Sequence, residues 1–231
     1  NRYYSNFGPL YYKATKLLEK KLKAYTGTIL LTSSGHSSLQ ACCNLIKTQS
    51  KKKYIILPSF SFYSNPQAII QSGFEPYFAD INLNNFSLNE EEIEKIIEDT
   101  NNNVAAIMFV SPMGFPISID RLNQVKKKYN IEIIYDAADT FLNLDNINKA
   151  NFLITVSFHP TKNLPANESG MIICRKKNIK ILKSIISFGF DRETKDAKYL
   201  GFNGKLSEYD AAILLANLQS LSVKNKIKKN S

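Results

Sequence analysis

Long apolar runs are absent from this 231-residue sequence, so no segment of it is long enough to cross a lipid bilayer. A charged-then-apolar leader is also missing from its start. We therefore expect a cytoplasmic protein that does not insert into a membrane. Asn1 stands where a start methionine would be, which indicates a trimmed sequence or a part of a larger one.

Cysteine is scarce and unevenly placed. The three residues, Cys42, Cys43 and Cys174, are odd in number, and two of them are adjacent. They lack the paired spacing that zinc sites and disulfide frameworks have, so we predict no metal site. We interpret them as small buried residues of a protein in a reducing compartment.

Acidic residues are outnumbered by basic ones: the formal net charge is +10, and lysines cluster at 51–53, 126–128 and 224–229. A basic surface can bind nucleic acid, because lysine neutralises phosphate without regard to base sequence. These clusters, however, fall where predicted elements end, without interleaved aromatic residues or a recognisable reading helix. A solvated surface is the favoured interpretation, and we expect no nucleic-acid partner.

The apolar pattern predicts an α/β domain. Hydrophobic residues make up 44% of the chain, and apolar runs of four to seven residues alternate with helical patterns. Strands are predicted over 28–32, 54–57, 75–79, 104–110, 132–135, 152–156 and 171–174. Helices are predicted over 10–25, 37–47, 65–71, 89–98, 119–129, 177–187 and 207–221. This alternation predicts a mostly parallel sheet with helices on both faces.

In such a sheet the ligand site lies outside the carboxyl ends of the strands, so the loops after strands are the candidates. The loop 33–38, with the sequence Ser-Ser-Gly-His-Ser-Ser, could present backbone N–H groups to a phosphate at a helix start, although serine-rich caps are common. The loop 58–64 contains three aromatic residues, which suit either the core or a surface on which a flat ligand stacks.

Two further loops place charged residues beside the predicted core. Asp136 directly follows the apolar run 131–135, where a carboxylate needs a partner, and it could equally cap a turn. Lys162 lies within Pro160-Thr161-Lys162-Asn163, which is not the setting of a surface lysine. Partial burial near an apolar wall would favour the free amine that imine chemistry requires, while a plain ion pair with Asp136 or Glu168 is the alternative.

The order of these segments resembles the DegT/DnrJ/EryC1/StrS family of pyridoxal-phosphate-dependent sugar aminotransferases. The resemblance extends over about 6–221, and its most specific piece is the sequence Ser-Phe-His-Pro-Thr-Lys at 157–162. It implies a fold-type-I large domain that binds pyridoxal 5'-phosphate (PLP) over 1–223, followed by a basic tail over 224–231. The small C-terminal domain of the family is expected to be absent.

The resemblance also implies an activity and its central residues. It implies transfer of an amino group from an amino acid, either glutamate or glutamine, to a keto group of a nucleotide-linked sugar. Lys162 would hold the cofactor as an internal imine and then move a proton. Asp136 would keep the ring nitrogen protonated, and Phe62 would stack on the ring.

Further residues are implied to bind the cofactor. Gly35, His36 and Ser157 would hold its phosphate, and Asp139 would lie near its phenolic oxygen. Asn203 would reach the phosphate in the neighbouring subunit, so the resemblance implies a homodimer.

The sequence departs from the family pattern at four positions. His36 replaces the usual threonine, Asp139 replaces glutamine or histidine, Ser169 replaces a glycine, and Lys205 replaces arginine. A second acid close to Asp136 is expected to raise the pKa of one of the two.

Two other functions remain open on this sequence. Sugar dehydratases of the same family have histidine in place of the imine lysine, and Lys162 disfavours that assignment because His159 is three positions away. A regulatory protein derived from such an enzyme is the other alternative, favoured by the missing C-terminal part, His36 and Asp139.

Overall fold

The computed structural model describes residues 7–25, 28–191 and 193–229, with side chains described as far as Leu221. The helices are α1 (Pro9–Leu22), α2 (Gly35–Gln49), α3 (Ser64–Gln71), α4 (Glu90–Asp99), α5 (Ile119–Tyr129), α6 (Ile179–Ile185) and α7 (Glu208–Lys229). The strands are β1 (Ile29–Thr32), β2 (Tyr54–Pro58), β3 (Glu75–Ala79), β4 (Val104–Val110), β5 (Glu132–Asp136), β6 (Leu153–Ser157), β7 (Gly170–Ile173), β8 (Phe190–Asp191) and β9 (Asp196–Ala197).

Seven strands form one mostly parallel sheet in the order β1-β7-β6-β5-β4-β2-β3. Strand β7 runs antiparallel to both of its neighbours, and the other adjacent pairs are parallel. All seven residues of β4 are buried. Since successive side chains of a strand point to opposite faces, both faces of the sheet are covered there. The α/β architecture expected from the sequence is confirmed.

Most element bounds agree with the sequence pattern to within two residues, and the largest differences lie at helix ends. Helix α1 ends at Leu22 rather than at residue 25, because Lys23 takes a left-handed conformation with φ 51°. Helix α6 is shorter than predicted: a 3-10 turn, Lys176–Asn178, precedes it, and the chain leaves the helix for a bridge between Ser187 and Asn203. The two-residue strands β8 and β9 were not predicted.

Helices α1 and α7 pack against each other at the end of the chain. The buried Glu208 carboxylate accepts hydrogen bonds from the N–H groups of Leu10 (2.9 Å) and Tyr11 (3.0 Å), which are two of the unpaired donors at the start of α1. Gly8 leaves the room that this requires, because a Cβ there would lie 2.6 Å from Cδ of Glu208. Helix α7 runs through the division predicted at residue 223, so the backbone of 224–229 continues this helix.

Within the described residues, no helix combines the length and the apolar character needed to span a bilayer.

Candidate active site

A cavity of about 800 Å³ opens where β4, β5 and β6 end and α2 begins. The loop after β2 forms another wall. Seven of the eight predicted site residues line it: Gly35, His36, Phe62, Asp136, Asp139, Ser157 and Lys162. Because the carboxyl ends of parallel strands meet at one edge, residues more than a hundred positions apart are brought together here.

Asp136 ends β5 at the floor of the cavity and is 5% exposed. Its Oδ2 accepts a hydrogen bond from Nδ2 of Asn65 at 2.7 Å, and its Oδ1 accepts one from the N–H of Ala138 at 3.1 Å. Burial raises the pKa of this carboxyl, Asn65 and the Ala138 N–H lower it, and the nearby Asp139 raises it further. Asp139 therefore raises the pKa of Asp136, as expected for a second acid, although burial raises it more.

Lys162 and Asp139 form an ion pair across the cavity wall, with Nζ 2.7 Å from Oδ1. The sequence left an ion pair of Lys162 with Asp136 or Glu168 as the alternative to imine chemistry, and the structure pairs Lys162 with Asp139 instead. The Lys162 side chain is 24% exposed, so its amine is enclosed but reachable from the cavity.

The start of α2 is built to approach the sheet closely. The hydroxyl of Ser34 caps the helix by accepting a hydrogen bond from the N–H of Ser37 at 3.0 Å. Gly35 packs against β6: a Cβ there would lie 2.8 Å from Cβ of Ser157. The start of α2, with the positive end of its helix dipole, therefore lies beside Ser157, which suits an anion.

His36 lies on the same turn and is held by a neighbour. Its Nε2 donates to Oε1 of Gln71 at 2.9 Å, so the ring is tied to the end of α3 while it lines the cavity. This contact gives the unusual histidine at this position a fixed orientation.

Phe62 and Tyr63 form an exposed aromatic wall. Their ring centroids are 4.0 Å apart with a tilt of 36°, and Phe62 is 61% exposed. An exposed ring at the mouth of a cavity is available for stacking against a flat ligand.

Asn203 is the predicted site residue that the structure does not bring to the cavity. It is exposed, its backbone pairs with Ser187, and its side chain accepts a hydrogen bond from Lys205. This position is compatible with its expected contact to a neighbouring subunit, and that contact stays a prediction.

Sequence reasoning missed two polar residues of the site. Asn65 was predicted only as a helix start, yet its side chain is buried and bonded to Asp136. Thr155 lies beside Asp136 in the β5–β6 register and lines the cavity, and its buried Oγ1 has no hydrogen-bond partner. Only the strand register relates Thr155 to Asp136, so no signal in the sequence could identify it.

His159 forms a small network next to Lys162. Its Nδ1 accepts a hydrogen bond from the N–H of Thr161 at 3.3 Å, so the ring proton lies on Nε2, which is 3.3 Å from Oε1 of Glu168. The side chains of His159, Thr161 and Glu168 all line the cavity. With both ring nitrogens engaged, His159 acts as a neighbour that orders this loop.

Comparison with known proteins accounts for this arrangement. The family model described as DegT/DnrJ/EryC1/StrS aminotransferase family matches residues 4–231. A dTDP-4-amino-4,6-dideoxy-D-glucose transaminase of Shigella dysenteriae is 29% identical over 225 residues, which cover 96% of this chain and 59% of that protein. A 3-oxo-glucose-6-phosphate:glutamate aminotransferase of Bacillus subtilis is 28% identical over 215 residues, covering 90% and 47%.

A solved structure has the same fold as this chain. The crystal structure of NtdA from Bacillus subtilis, with bound cofactor PMP, has a TM-score of 0.82 and 26% identity, covering 94% of this chain and 49% of that chain. The expected fold-type-I architecture is confirmed. This chain spans about half to three-fifths of the length of these relatives. The chain belongs to the DegT/DnrJ/EryC1/StrS aminotransferase family.

Proposed function

We propose that this chain is the cofactor-binding large domain of a PLP-dependent sugar aminotransferase. One observation carries the proposal: a reachable primary amine, a buried carboxylate and a helix start beside a serine all line one cavity. The cavity of about 800 Å³ is within the range of about 300–1,000 Å³ that is usual for small-molecule sites.

The residues present fit the cofactor. The unpartnered hydroxyl of Thr155 and the carboxylate of Asp136 lie side by side in a cavity that is otherwise well satisfied, as expected where a ligand supplies the remaining partner. The close contact of Gly35 with Ser157 brings the positive end of the α2 dipole beside the Ser157 hydroxyl, which suits a phosphate. Phe62 offers the flat apolar surface.

Each residue then has a task. When bound, PLP would supply an electron sink for amino transfer. Asp136 would hold a proton at the ring nitrogen, and Asn65 and the Ala138 N–H fix the orientation of its carboxylate. Lys162 would hold the cofactor through Nζ, and its amine would be the group that moves a proton during amino transfer.

The substrates are proposed on the basis of the relatives. One is named for a nucleotide-linked amino sugar and another for a keto sugar phosphate with glutamate as donor. We propose an amino acid, either glutamate or glutamine, as donor and a nucleotide-linked keto sugar as acceptor; the names of these relatives support glutamate and a nucleotide-linked sugar. The lysine at position 162 disfavours the dehydratase alternative, which has histidine at that place.

Two further proposals concern the oligomeric state and the cellular location. A homodimer is supported by Asn203, which lies outside the cavity of its own chain and is exposed. A cytoplasmic location is supported by three buried free cysteines, which suit a reducing compartment.

The variant Asp136→Asn tests the proposed chemistry. An amide cannot hold a proton at the ring nitrogen, whereas the phosphate contacts do not involve this residue. We expect cofactor binding, measured by the visible absorption band, to persist, while the rate of amino transfer falls by about 100-fold or more. Near-normal turnover would show that Asp136 has been misassigned.

A further inference from the structure

A second cavity lies at the edge of the sheet opposite the candidate active site. Strand β7 runs antiparallel to β1 and β6, so its carboxyl end lies beside their amino ends. The N–H of Cys174 donates to the carbonyl oxygen of Thr28 at 2.9 Å, and the basic run 175–177 follows directly. A cavity of about 570 Å³ opens there, between the end of β7, the chain before β1 and the 3-10 turn Ile147–Lys149.

This cavity, called the basic cavity below, is lined by cations. Its charged side chains are Lys149, Arg175 and Lys176, and the described residues that line it include no aspartate or glutamate. Neither Lys149 nor Lys176 forms an ion pair with a residue that the structure describes. Positive side chains that line one concave surface without acids attract an anion.

The cations at this edge are held close together by the backbone. Nη2 of Arg175 donates to the carbonyl oxygen of Asn151 at 2.9 Å, and Nζ of Lys126 donates to the same oxygen at 2.7 Å. Burial lowers the pKa of Lys126, and its hydrogen bond with Glu132 raises it. Repulsion by Arg175 and Lys177 lowers this pKa further. An anion bound at Arg175 would offset that repulsion.

Tyr25 provides an aromatic wall beside these cations. It lines the basic cavity and is 65% exposed, and the buried Ile147 and Phe152 add apolar surface to the same lining. A ligand that carries a flat ring next to its charge would contact both kinds of surface. The basic cavity and the candidate active site share no lining residue within the described part of the chain.

We propose that the basic cavity binds a small phosphate ester that carries a flat ring, with its phosphate among Lys149, Arg175 and Lys176 and its ring on Tyr25. Arginine presents several N–H donors in a planar fork that matches phosphate oxygens, and lysine adds a point charge. Inorganic phosphate has the charge alone. Such an ester should therefore bind about 3- to 10-fold more tightly than inorganic phosphate, because the ring contact adds to the affinity.

Protection of lysines from acetylation locates this site directly. The chain is labelled with trace acetic anhydride at constant pH and ionic strength, with phenyl phosphate or inorganic phosphate added, and peptide mass spectrometry measures each lysine. We expect phenyl phosphate to protect Lys149 and Lys176, while Lys51 and Lys127, which are exposed outside the basic cavity, are labelled at an unchanged rate. Labelling of Lys162 reports separately on phosphate binding at the candidate active site.

Four variants separate this site from a general attraction of anions. Arg175→Gln should raise the concentration of phenyl phosphate that half-protects Lys149 by about 5- to 10-fold, whereas Lys127→Gln removes the same charge outside the basic cavity and should leave it unchanged. Lys176→Gln changes an exposed side chain and should raise it by about 3- to 5-fold, so the test stands if Arg175→Gln does not fold. Tyr25→Ala should weaken protection by phenyl phosphate by about 3- to 10-fold and leave protection by inorganic phosphate unchanged.

Several results would overturn the proposal. Equal protection of Lys51 and Lys127 would show that phosphate is attracted to the basic surface as a whole. Unchanged protection in both Arg175→Gln and Lys176→Gln would show that these cations do not hold the phosphate. Equal half-protecting concentrations of the two phosphates would rule out the ring contact, and lack of protection by either would rule out the site.

Discussion

At the scale of single residues, Asp136 links the chemistry of the site to the stability of the fold. Burial raises the pKa of its carboxyl in the folded chain. The contribution of such a group to stability is fully present below its unfolded pKa of about 3.9, and it is lost as the pH rises through the raised folded pKa. An ionised, buried Asp136 therefore destabilises the cofactor-free protein at neutral pH.

Thermal unfolding of the cofactor-free wild type and Asp136→Asn tests whether ionisation of Asp136 lowers the stability as the pH rises. Asparagine does not titrate, so the unfolding temperature of the variant relative to the wild type should increase between pH 4 and pH 7. Asp145→Asn, which replaces an exposed acid, should show a smaller change. A difference for Asp136→Asn that stays constant or shrinks toward pH 7 would mean that burial does not govern this carboxylate.

The sequence was informative about residues at strand ends and uninformative about contacts across strands. Asp136 and Lys162 could be proposed because each follows an apolar run that reads as a buried strand. The ion pair between Lys162 and Asp139 could not, because it depends on β5 and β6 being adjacent in the sheet. The same holds for Thr155, whose importance appears only in the strand register.

At the scale of elements, periodicity predicted strands and helices, while local backbone geometry set their ends. Strands β3 and β4 and helix α5 have the predicted bounds. The end of α1 at a left-handed lysine gives no sequence signal, because glycine or asparagine is usual there. Strands β8 and β9 are too short for any alternation to be recognised.

The contact of Glu208 with α1 leads to a prediction about how these elements are joined. Glu208→Ala leaves two N–H groups of α1 without their charged acceptor, so we expect the free energy of unfolding to fall by about 3 kcal/mol. Glu208→Gln keeps one carbonyl oxygen and should lose about half as much. Urea unfolding measures both.

Glu193→Ala is the control for the loss of a glutamate. It removes an exposed ion pair with Lys180 and should leave the free energy of unfolding close to that of the wild type. A Glu208→Ala variant as stable as this control would show that the carboxylate does not hold α1 to α7.

At the scale of the whole molecule, the loop that carries Asn203 is the predicted contact with a second copy. Phe188 and Leu200 are exposed apolar residues near Asn203: Leu200 precedes Asn203 by three positions, and the N–H of Phe188 bonds to the carbonyl oxygen of Phe202. We expect light scattering of the purified protein to give twice the chain mass of 26.2 kDa. A monomer still saturated with cofactor would contradict the placement of Asn203 in the neighbouring site.

The covalent attachment of the cofactor to Lys162 is the central claim, and other lysines compete for it. Burial lowers the pKa of Lys126 and of Lys205, so both have some of the free-amine character that imine formation requires. Neither lines the cavity. The account therefore depends on the position of Lys162 as well as on its chemistry.

Mass spectrometry of the protein incubated with PLP, with and without borohydride reduction, tests this claim most directly. We expect a single phosphopyridoxyl group, retained only after reduction and mapped to the peptide that contains Lys162. The adduct should disappear in Lys162→Ala and persist in Lys205→Ala. A stable adduct on Lys126, Lys205 or any other lysine, or an undiminished adduct in Lys162→Ala, would contradict the account.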